Sequence, residues 1–222
     1  MSNHIIVTGG SGFLGKQICR SASDQSIPVV SISRGGKPAN IDEGQYYTVY
    51  WEAADVRNIE NWNRHLENCR AVIHSIGIIE EHPELGITYE SAIFDTAKAV
   101  ADAAKHSGVE KFVFISAAGA GPDTPAGYML NKHKAENYLK TRFENLVILR
   151  PGMMFGADSP GTTEESAELF RMMENDEQLR ASLWPKRPLP VEIVAHVAIY
   201  AAMNNIKGDF SVDETERLGG EI

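Results

Sequence analysis

The feature that most constrains the fold is a glycine-rich loop between a short apolar segment and an amphipathic one. The apolar segment, residues 4–7, ends at the glycine-rich residues 8–12. A short apolar run that stops at glycines is typical of a buried strand. Over residues 12–23, apolar side chains recur at the spacing of one helix face. This order predicts the first strand, loop and helix of an α/β fold.

The same alternation continues along the chain. We predict further strands at 28–33, 47–51, 71–76, 111–116 and 146–149, and helices at 58–69, 88–107 and 126–143. Apolar strands joined by helices predict a Rossmann-like, doubly wound parallel sheet, because right-handed crossovers place helices on both faces. Beyond Arg150 the pattern is irregular, with helices at 163–175 and 191–203 and a strand at 209–212. We interpret residues 1–222 as one domain in which 153–222 contribute a small cap, or substrate lobe.

The glycine loop also predicts chemistry. Gly10 to Gly15 fits the pattern G-x-G-x-x-G, and Gly9, Gly12 and Gly15 fit G-x-x-G-x-x-G. One glycine permits a tight turn, one lets the backbone approach a pyrophosphate, and one lets the helix pack on the strand. We therefore predict that a dinucleotide binds here, at the residues Gly9, Gly12, Phe13, Leu14 and Gly15.

A phosphate loop of a nucleoside triphosphate hydrolase is the alternative. Gly10 to Gly15 followed by Lys16 matches G-x-x-x-x-G-K. The next residue, which should carry a hydroxyl for magnesium, is Gln17. The missing hydroxyl and the close spacing of the glycines favour the dinucleotide.

The end of the second predicted strand indicates which dinucleotide. An acidic residue there would bind the ribose hydroxyls of NAD, but the chain has Ser33 and Arg34, with Lys37 nearby. A guanidinium group suits a 2′-phosphate, so NADP (NADPH) is favoured and NAD is the alternative.

A tyrosine and a lysine four residues apart indicate a catalytic pair. Tyr128 and Lys132 lie on one face of a predicted helix. We expect the ammonium group to lower the pKa of the phenol, which would then exchange a proton during hydride transfer. Ser116, at the end of the fifth strand, is placed to hold the reacting oxygen.

Composition excludes several classes of function. The 21 lysines and arginines against 30 acidic residues give a net charge of −9, which disfavours nucleic acid as a partner. No apolar stretch approaches the roughly 18 residues of a membrane span. Two cysteines without a CxxC motif, and no signal sequence, predict a cytoplasmic protein. The seven histidines show no metal-site spacing, so we predict no metal, and we interpret the acidic residues of 213–221 as a solvated tail.

Taken together, these motifs resemble a known family, the short-chain dehydrogenases/reductases of the extended or atypical kind. The resemblance covers residues 5–203 and rests on the segments 8–15, 54–56, 72–75, Ser116, Tyr128 with Lys132, and 150–152. It implies that Asp55 and Val56 flank the adenine, that Ser75, Ile76 and Gly77 run beside the cofactor, that Lys132 holds its ribose, and that Pro151 and Gly152 lie near the nicotinamide.

Segments 30–37, 51–55 and 74–78 are most similar to one atypical branch of that family. This branch holds the Rossmann-type accessory subunit of respiratory complex I and a protein of ubiquinone biosynthesis. One departure is Ile93, at the position where catalytic members often carry an asparagine.

The sequence thus leads to two functional hypotheses. The first is an NADP(H)-dependent oxidoreductase, or an epimerase or dehydratase, that acts as a monomer or homodimer on a small molecule. Methionines and aromatic residues over 153–184 would suit an apolar or quinoid substrate. The second is a non-catalytic nucleotide-binding accessory or sensor protein linked to quinone or respiratory-chain metabolism.

Overall fold

The fold is given by a computed structural model that describes residues 4–39, 41–125, 127–156 and 162–222, with the backbone alone for 162–166. Its strands are β1 (His4–Thr8), β2 (Val29–Ser33), β3 (Val49–Ala53), β4 (Cys69–His74), β5 (Lys111–Ile115), β6 (Asn145–Leu149), β7 (Met154–Phe155), β8 (Leu189–Pro190) and β9 (Gly208–Phe210). Its helices are α1 (Phe13–Asp24), α2 (Asp95–His106), α3 (Tyr128–Lys140), α4 (Thr162–Asn175), α5 (Glu177–Leu183), α6 (Val191–Met203) and α7 (Val212–Glu221).

The central sheet has seven strands within the described ranges, in the order β3-β2-β1-β4-β5-β6-β9, and every neighbouring pair is parallel. The predicted Rossmann-like, doubly wound α/β fold is therefore confirmed. The strand order reverses between β1 and β4, where the amide nitrogen of Ser75 donates to the carbonyl oxygen of Thr8 at 3.0 Å. Ligands of open α/β sheets bind in the crevice at such a reversal.

The strands are buried on both faces. Ile5 and Val7 of β1 pack on the side of α1 and α6, whereas Ile6 packs on the side of α2 and α3. This arrangement explains why the strands read as continuous apolar runs instead of alternating ones.

The predicted helix at 58–69 is wrong. The segment forms two short 3₁₀ turns, Ile59–Asn61 and Asn63–Leu66, and Cys69 is the first residue of β4. Trp62 is fully buried, and its indole nitrogen donates to the carbonyl oxygen of Val56 at 3.0 Å. The apolar side chains therefore anchor turns, because three or four apolar residues at this spacing fit either structure.

The predicted helix at 88–107 differs at its start. It begins with a π-helical turn, Glu90–Phe94, before α2 continues as an α-helix. Such turns occur frequently at functional sites. The predicted helix at 126–143 corresponds to α3; Ala126 lies outside the described residues.

The region beyond residue 153 contributes to two parts of the fold. The β7 and β8 strands pair with each other, and α4 packs on β7. By contrast, α6 packs against α1, and β9 pairs with β6 at the edge of the main sheet. The expected acidic tail is instead α7, which begins with a capping box formed by Ser211 and Glu214. The division into one domain with a cap at 153–222 stays a prediction, and residues 157–161 lie outside the described part.

Candidate functional site

The glycine loop joins β1 to α1 at the carboxyl end of the sheet. Gly9 has a φ of +82°, which glycine adopts without strain. A Cβ on Gly15 would overlap the carbonyl oxygen of Gly9, and one on Gly10 would overlap the Ser31 hydroxyl. Gly12 is the N-cap of α1 and provides no side-chain hydrogen bond. The loop thus fits an anionic phosphate group, since backbone N–H groups at the start of α1 lack a side-chain acceptor.

A cavity of about 320 Å³ lies beside this loop. Nine predicted cofactor-binding residues line it: Gly9, Gly12, Ser33, Arg34, Asp55, Val56, Ser75, Ile76 and Gly77. Of the residues that the structure describes, ten others also line it: Ser11, Gly35, Ala54, Arg57, Ile78, Gly86, Ile87, Ser91, Ala92 and Thr96. The cavity therefore extends along the ends of four strands to the loop before α2, as the crevice of this fold requires.

Several predicted residues lie outside the cavity wall. Leu14 is a core residue, and Phe13 packs against the same core. Gly15 serves the packing of α1 on the loop, as described above. Lys37 is exposed and forms an ion pair with Glu43, so the structure does not bring it to the cavity.

Pro151 and Gly152 also lie outside the cavity wall. Pro151 is buried. A Cβ on Gly152 would overlap the carbonyl oxygens of Lys186 and Arg187. Gly152 therefore lets the segment before β8 pack closely, and a contact of either residue with a nicotinamide stays a prediction.

Charged residues gather at the end of the cavity formed by the loops after β2 and β3. The Oδ1 atom of Asp55 accepts from the backbone nitrogen of Arg57 at 2.9 Å and from its Nε at 3.0 Å. Nη2 of Arg57 donates to Oδ2 of Asp55 at 2.6 Å. These hydrogen bonds, together with the charge of Arg34, lower the pKa of Asp55. Sequence reasoning missed Arg57, although its position two residues after Asp55 is the local signal that would have found it.

Lys132 and Tyr128 approach the cavity at Gly77. A Cβ on Gly77 would lie 3.8 Å from the Lys132 Nζ and 3.9 Å from the Tyr128 hydroxyl oxygen. The Nζ atom of Lys132 donates to the carbonyl oxygen of Ile115 at 2.7 Å and lies 5.0 Å from the centre of the Phe114 ring. Lys132 is buried, and this burial lowers its pKa to about 7. Neither residue belongs to the cavity wall, but two groups that can carry a proton lie next to Gly77, which does.

The pKa of Tyr128 departs from our expectation. We expected the neighbouring ammonium group to lower it, but burial raises it to about 12, with a further contribution from Tyr89. The two tyrosine rings meet edge to face, with 5.9 Å between their centres. Removing water disfavours both the phenolate and the ammonium form, so the neutral phenol is the stable state.

The hydroxyl group of Ser116 already donates its proton to Glu136. Its hydroxyl donates to Oε1 of Glu136 at 2.5 Å, and Glu136 accepts two hydrogen bonds from Arg150 at 2.8 and 2.6 Å. A serine has one proton to donate. Ser116 is also buried and does not line the cavity, and its predicted role with a reacting oxygen stays a prediction.

Ile93 stands where catalytic members of the family often carry an asparagine. Thr96, three residues later, lines the cavity. Ile93 is fully buried in the π-helical turn. Thr96 lines the cavity, and its hydroxyl lies 3.4 Å from Nε2 of His74 and donates to the carbonyl oxygen of Ala92 at 2.7 Å. At the asparagine position this chain therefore has a buried apolar side chain, Ile93, and the polar side chain at the cavity is that of Thr96.

Two other hypotheses from the sequence, the phosphate loop and the apolar substrate surface, can be compared with the structure. Gln17, at the hydroxyl position of a phosphate loop, is buried in α1 and does not line the cavity. In the region of the predicted substrate lobe, the rings of Phe155 and Phe170 lie 5.3 Å apart, and Met153 and Trp184 are 47% and 44% exposed. An apolar substrate surface at this place stays a prediction.

In the described ranges, no group of three or more histidines, cysteines and acidic residues is arranged to hold a metal ion. No helix in the described part of the chain is both long and apolar enough to cross a membrane.

Comparison with known proteins adds a family match and several relatives. A family model described as NAD(P)H-binding matches residues 9–204. The chain is 30% identical over 200 residues to MIOREX complex component 2 of Saccharomyces cerevisiae, an alignment that covers 68% of this chain and 72% of that protein. It is 34% identical to an uncharacterised chloroplastic protein of Arabidopsis thaliana, over 70% of this chain and 52% of that one.

A third relative is a mitochondrial protein of Rattus norvegicus, NADH dehydrogenase [ubiquinone] 1 alpha subcomplex subunit 9. The identity is 28% over 68% of this chain, which spans only 41% of that protein. The names of the plant and rat relatives place them in organelles, so these relatives do not support the cytoplasmic prediction specifically.

Solved structures share the fold. The structure titled MoeE5 in complex with UDP-glucuronic acid and NAD aligns with a TM-score of 0.70 and 19% identity, over 98% of this chain and 81% of that chain. A UDP-N-acetylglucosamine 4-epimerase from Bacillus cereus aligns with a TM-score of 0.67 and 16% identity, over 99% of this chain and 81% of that one. At these identities, the likeness concerns the fold alone.

Proposed function

The chain belongs to the NAD(P)H-binding family, and from this premise we propose that it is an NADP(H)-dependent oxidoreductase of the short-chain dehydrogenase/reductase type. One observation carries the proposal. Tyr128 and Lys132 both approach Gly77, a residue of the same cavity wall that begins at the glycine loop. A phosphate-binding loop and a proton-donating pair at one cavity are what reduction by a nicotinamide dinucleotide requires.

Each residue of the pair has a role in the proposed reaction. The reduced nicotinamide, when bound, supplies a hydride. Tyr128, which burial keeps protonated, donates its hydroxyl proton to the substrate oxygen. Lys132, oriented by the carbonyl oxygen of Ile115, stabilises the resulting phenolate in its ammonium form, and solvent then returns a proton to Tyr128.

NADP is the proposed cofactor because of the residues after β2. Ser33 ends that strand and donates to the carbonyl oxygen of Gly36 at 3.2 Å, and Arg34 follows it in the cavity wall. No carboxylate stands at the strand end to accept hydrogen bonds from ribose hydroxyls. A guanidinium at this place favours a cofactor with a 2′-phosphate.

The substrate we propose is a small carbonyl compound of apolar or quinoid character. Met153 and Trp184 offer polarizable and aromatic surface in the region after β6. Gly152, three residues after β6, packs on the backbone of Lys186 and Arg187, so this region lies next to the carboxyl end of β6.

A non-catalytic accessory protein is the second candidate. Ser116 gives its proton to Glu136, and Ile93 supplies no polar group, so two functions of a complete proton relay are missing. The name of the rat relative as a subunit of an NADH dehydrogenase is compatible with such a role in this chain. This candidate requires nucleotide binding without turnover.

The proposal is tested first by titrating the purified chain with NADPH, NADH and ATP. We expect tighter binding of NADPH than of NADH, and no magnesium-dependent binding of ATP. Failure to bind either dinucleotide would contradict the proposed function, and magnesium-dependent ATP binding would support the phosphate-loop alternative.

Tyr128→Phe tests catalysis. With a substrate from a panel of aldehydes, ketones and quinones, we expect turnover to fall by about 10²-fold or more, because the proton donor is lost, while NADPH affinity changes little. Tyr138→Phe is the matched control, since Tyr138 lies on the same helix and its hydroxyl donates to Asp102. Equal turnover of the Tyr128 variant and the wild type would remove Tyr128 from the mechanism, and NADPH binding without turnover on any substrate would favour the accessory role.

A further inference from the structure

The end of the cavity beside β2 and β3 holds a second arginine. Arg34 and Arg57 line the same cavity, from the loops after β2 and β3 respectively. Arg34 forms no ion pair with any residue in the described ranges. Asp55 is the acidic residue of this wall, and the charges of both arginines act on its carboxylate.

Asp55 holds Arg57 in a fixed position. Both oxygens of the carboxylate accept from the Arg57 guanidinium, and Oδ1 also accepts from the Arg57 backbone nitrogen. A paired contact of this kind fixes the plane of a guanidinium group as well as its position. No hydrogen bond in the described part of the chain engages Nη1 of Arg57, and 43% of the side chain is exposed.

The hydrogen bonds from Arg57 limit the capacity of the Asp55 carboxylate to bind a ligand. This carboxylate already accepts three hydrogen bonds, so about one acceptor position, on Oδ2, remains for an adenine or a ribose. With Asp55 paired to one arginine, the wall keeps one uncompensated positive charge. Such a site attracts an anion, and arginine recognises phosphate with more than one N–H group.

We propose that Arg57 is a second specificity-determining residue for the cofactor, one that binds the 2′-phosphate together with Arg34, and that Asp55 acts as its positioning residue. This inference rests on the proposed function, because it presupposes a dinucleotide in the cavity. It differs from the expectation that Asp55 itself contacts the adenine.

The experiment compares two fragments of the cofactor by isothermal titration calorimetry with the full chain. Adenosine 2′,5′-bisphosphate carries the extra phosphate, and adenosine 5′-monophosphate does not. For Arg57→Ala we expect at least about 10-fold weaker binding of the bisphosphate and a change below about threefold for the monophosphate, because a charge-assisted contact to phosphate is lost. NADPH and NADH should show the same contrast.

Three further variants make the test specific. Asp55→Asn should weaken the bisphosphate more than the monophosphate, because Arg57 is no longer held. Arg57→Lys keeps the charge without the paired geometry and should give an intermediate loss. Arg64→Ala is the matched control, since Arg64 pairs with Glu52 and does not line the cavity, and it should change neither affinity. Thermal denaturation checks that each variant is folded.

The outcomes separate the inference from the proposed function. If folded Arg57→Ala weakens both fragments equally, or neither, Arg57 is not a 2′-phosphate ligand. If Asp55→Asn weakens the monophosphate as much as the bisphosphate, Asp55 contacts the nucleotide directly and is not a positioning residue. If the wild-type chain binds neither fragment and neither dinucleotide, the proposed function fails and this inference fails with it.

Discussion

At the scale of single residues, His74 shows how burial controls charge. Its ring stacks beside those of Phe112 and Phe114, with centre distances of 6.4 and 5.9 Å, and Nδ1 lies 2.8 Å from the Thr8 hydroxyl. Burial, assisted by the charge of Lys132, lowers the pKa of His74 to about 3. The neutral ring is therefore the favoured form in the folded protein at pH values well above about 3.

This burial predicts acid sensitivity. Between the unfolded pKa of about 6.5 and the folded value of about 3, the unfolded chain binds a proton that the folded protein excludes. Stability should therefore fall as pH falls through this window, by roughly 3–5 kcal/mol in total. Denaturant unfolding at pH 7, 5.5 and 4 measures the slope, and His74→Gln should flatten it. The exposed His82 supplies the control, His82→Gln, and equal slopes for wild type and His74→Gln would contradict the prediction.

At the scale of elements, the contact between the glycine loop and α1 leaves no room for a side chain. Gly15 lies in the first turn of α1, directly against Gly9 and Gly10. The neighbouring atoms belong to the backbone, so they cannot turn away as a flexible side chain would. The helix start and the loop therefore act as one rigid unit.

Gly15→Ala tests this unit. We expect a loss of about 1–3 kcal/mol in the free energy of unfolding, because an added methyl group forces the backbone apart. Dinucleotide affinity should fall as well, since the loop shifts. Gly121→Ala is the control, because a Cβ there meets open space. Denaturant unfolding and NADPH titration give both quantities, and a fully stable variant with wild-type affinity would show that the loop adapts.

Elements differ in how well the sequence predicts them. Residues 191–203 were predicted as a helix with the bounds of α6, because a long apolar run bounded by Pro190 and a pair of asparagines leaves few alternatives. Residues 58–69 were predicted wrongly, because Trp62 and Leu66 anchor 3₁₀ turns at a spacing that also fits a helix. Short segments carry too few side chains to separate the two.

The residues of the candidate site also differ in how well the sequence predicts them. Gly9 and Gly12 were predicted from local conformation, which the sequence pattern specifies. The positions of the Arg57 and Lys37 side chains depend on their ion-pair partners, which the local pattern does not specify. Asp55 holds Arg57 in the cavity wall, and Glu43 holds Lys37 at the surface. The pKa of Tyr128 depends on burial, which the spacing of Tyr128 and Lys132 does not reveal.

At the scale of the whole molecule, Arg187 joins α7 to the segment that precedes β8. Arg187 is 2% exposed and donates from Nη1 to Asp213 of α7 at 2.6 Å, with a second ion pair to Glu216. Its guanidinium lies 4.0 Å from the centre of the Trp184 ring. The acidic residues expected to form a solvated tail thus stabilise the fold.

Removal of this arginine should loosen α7. For Arg187→Ala we expect a loss of about 2–4 kcal/mol, at the lower end for a buried ion pair because Asp213 and Glu216 remain in contact with water. Hydrogen exchange should accelerate over Val212–Glu221. Arg217→Ala is the control, since its pair with Glu221 is exposed on both sides and should contribute below about 1 kcal/mol. Unchanged exchange in α7 would show that its other contacts hold it alone.

The packing of α6 against α1 has a consequence for biosynthesis. The first helix of the chain and residues 191–203 cover the same face of the sheet, although the ribosome makes them far apart in time. A nascent chain that ends before α6 therefore exposes the apolar side chains of β4 and β5 that α6 later covers. Partly made chains with such surfaces associate readily. We expect chaperones to hold this protein until late in its translation.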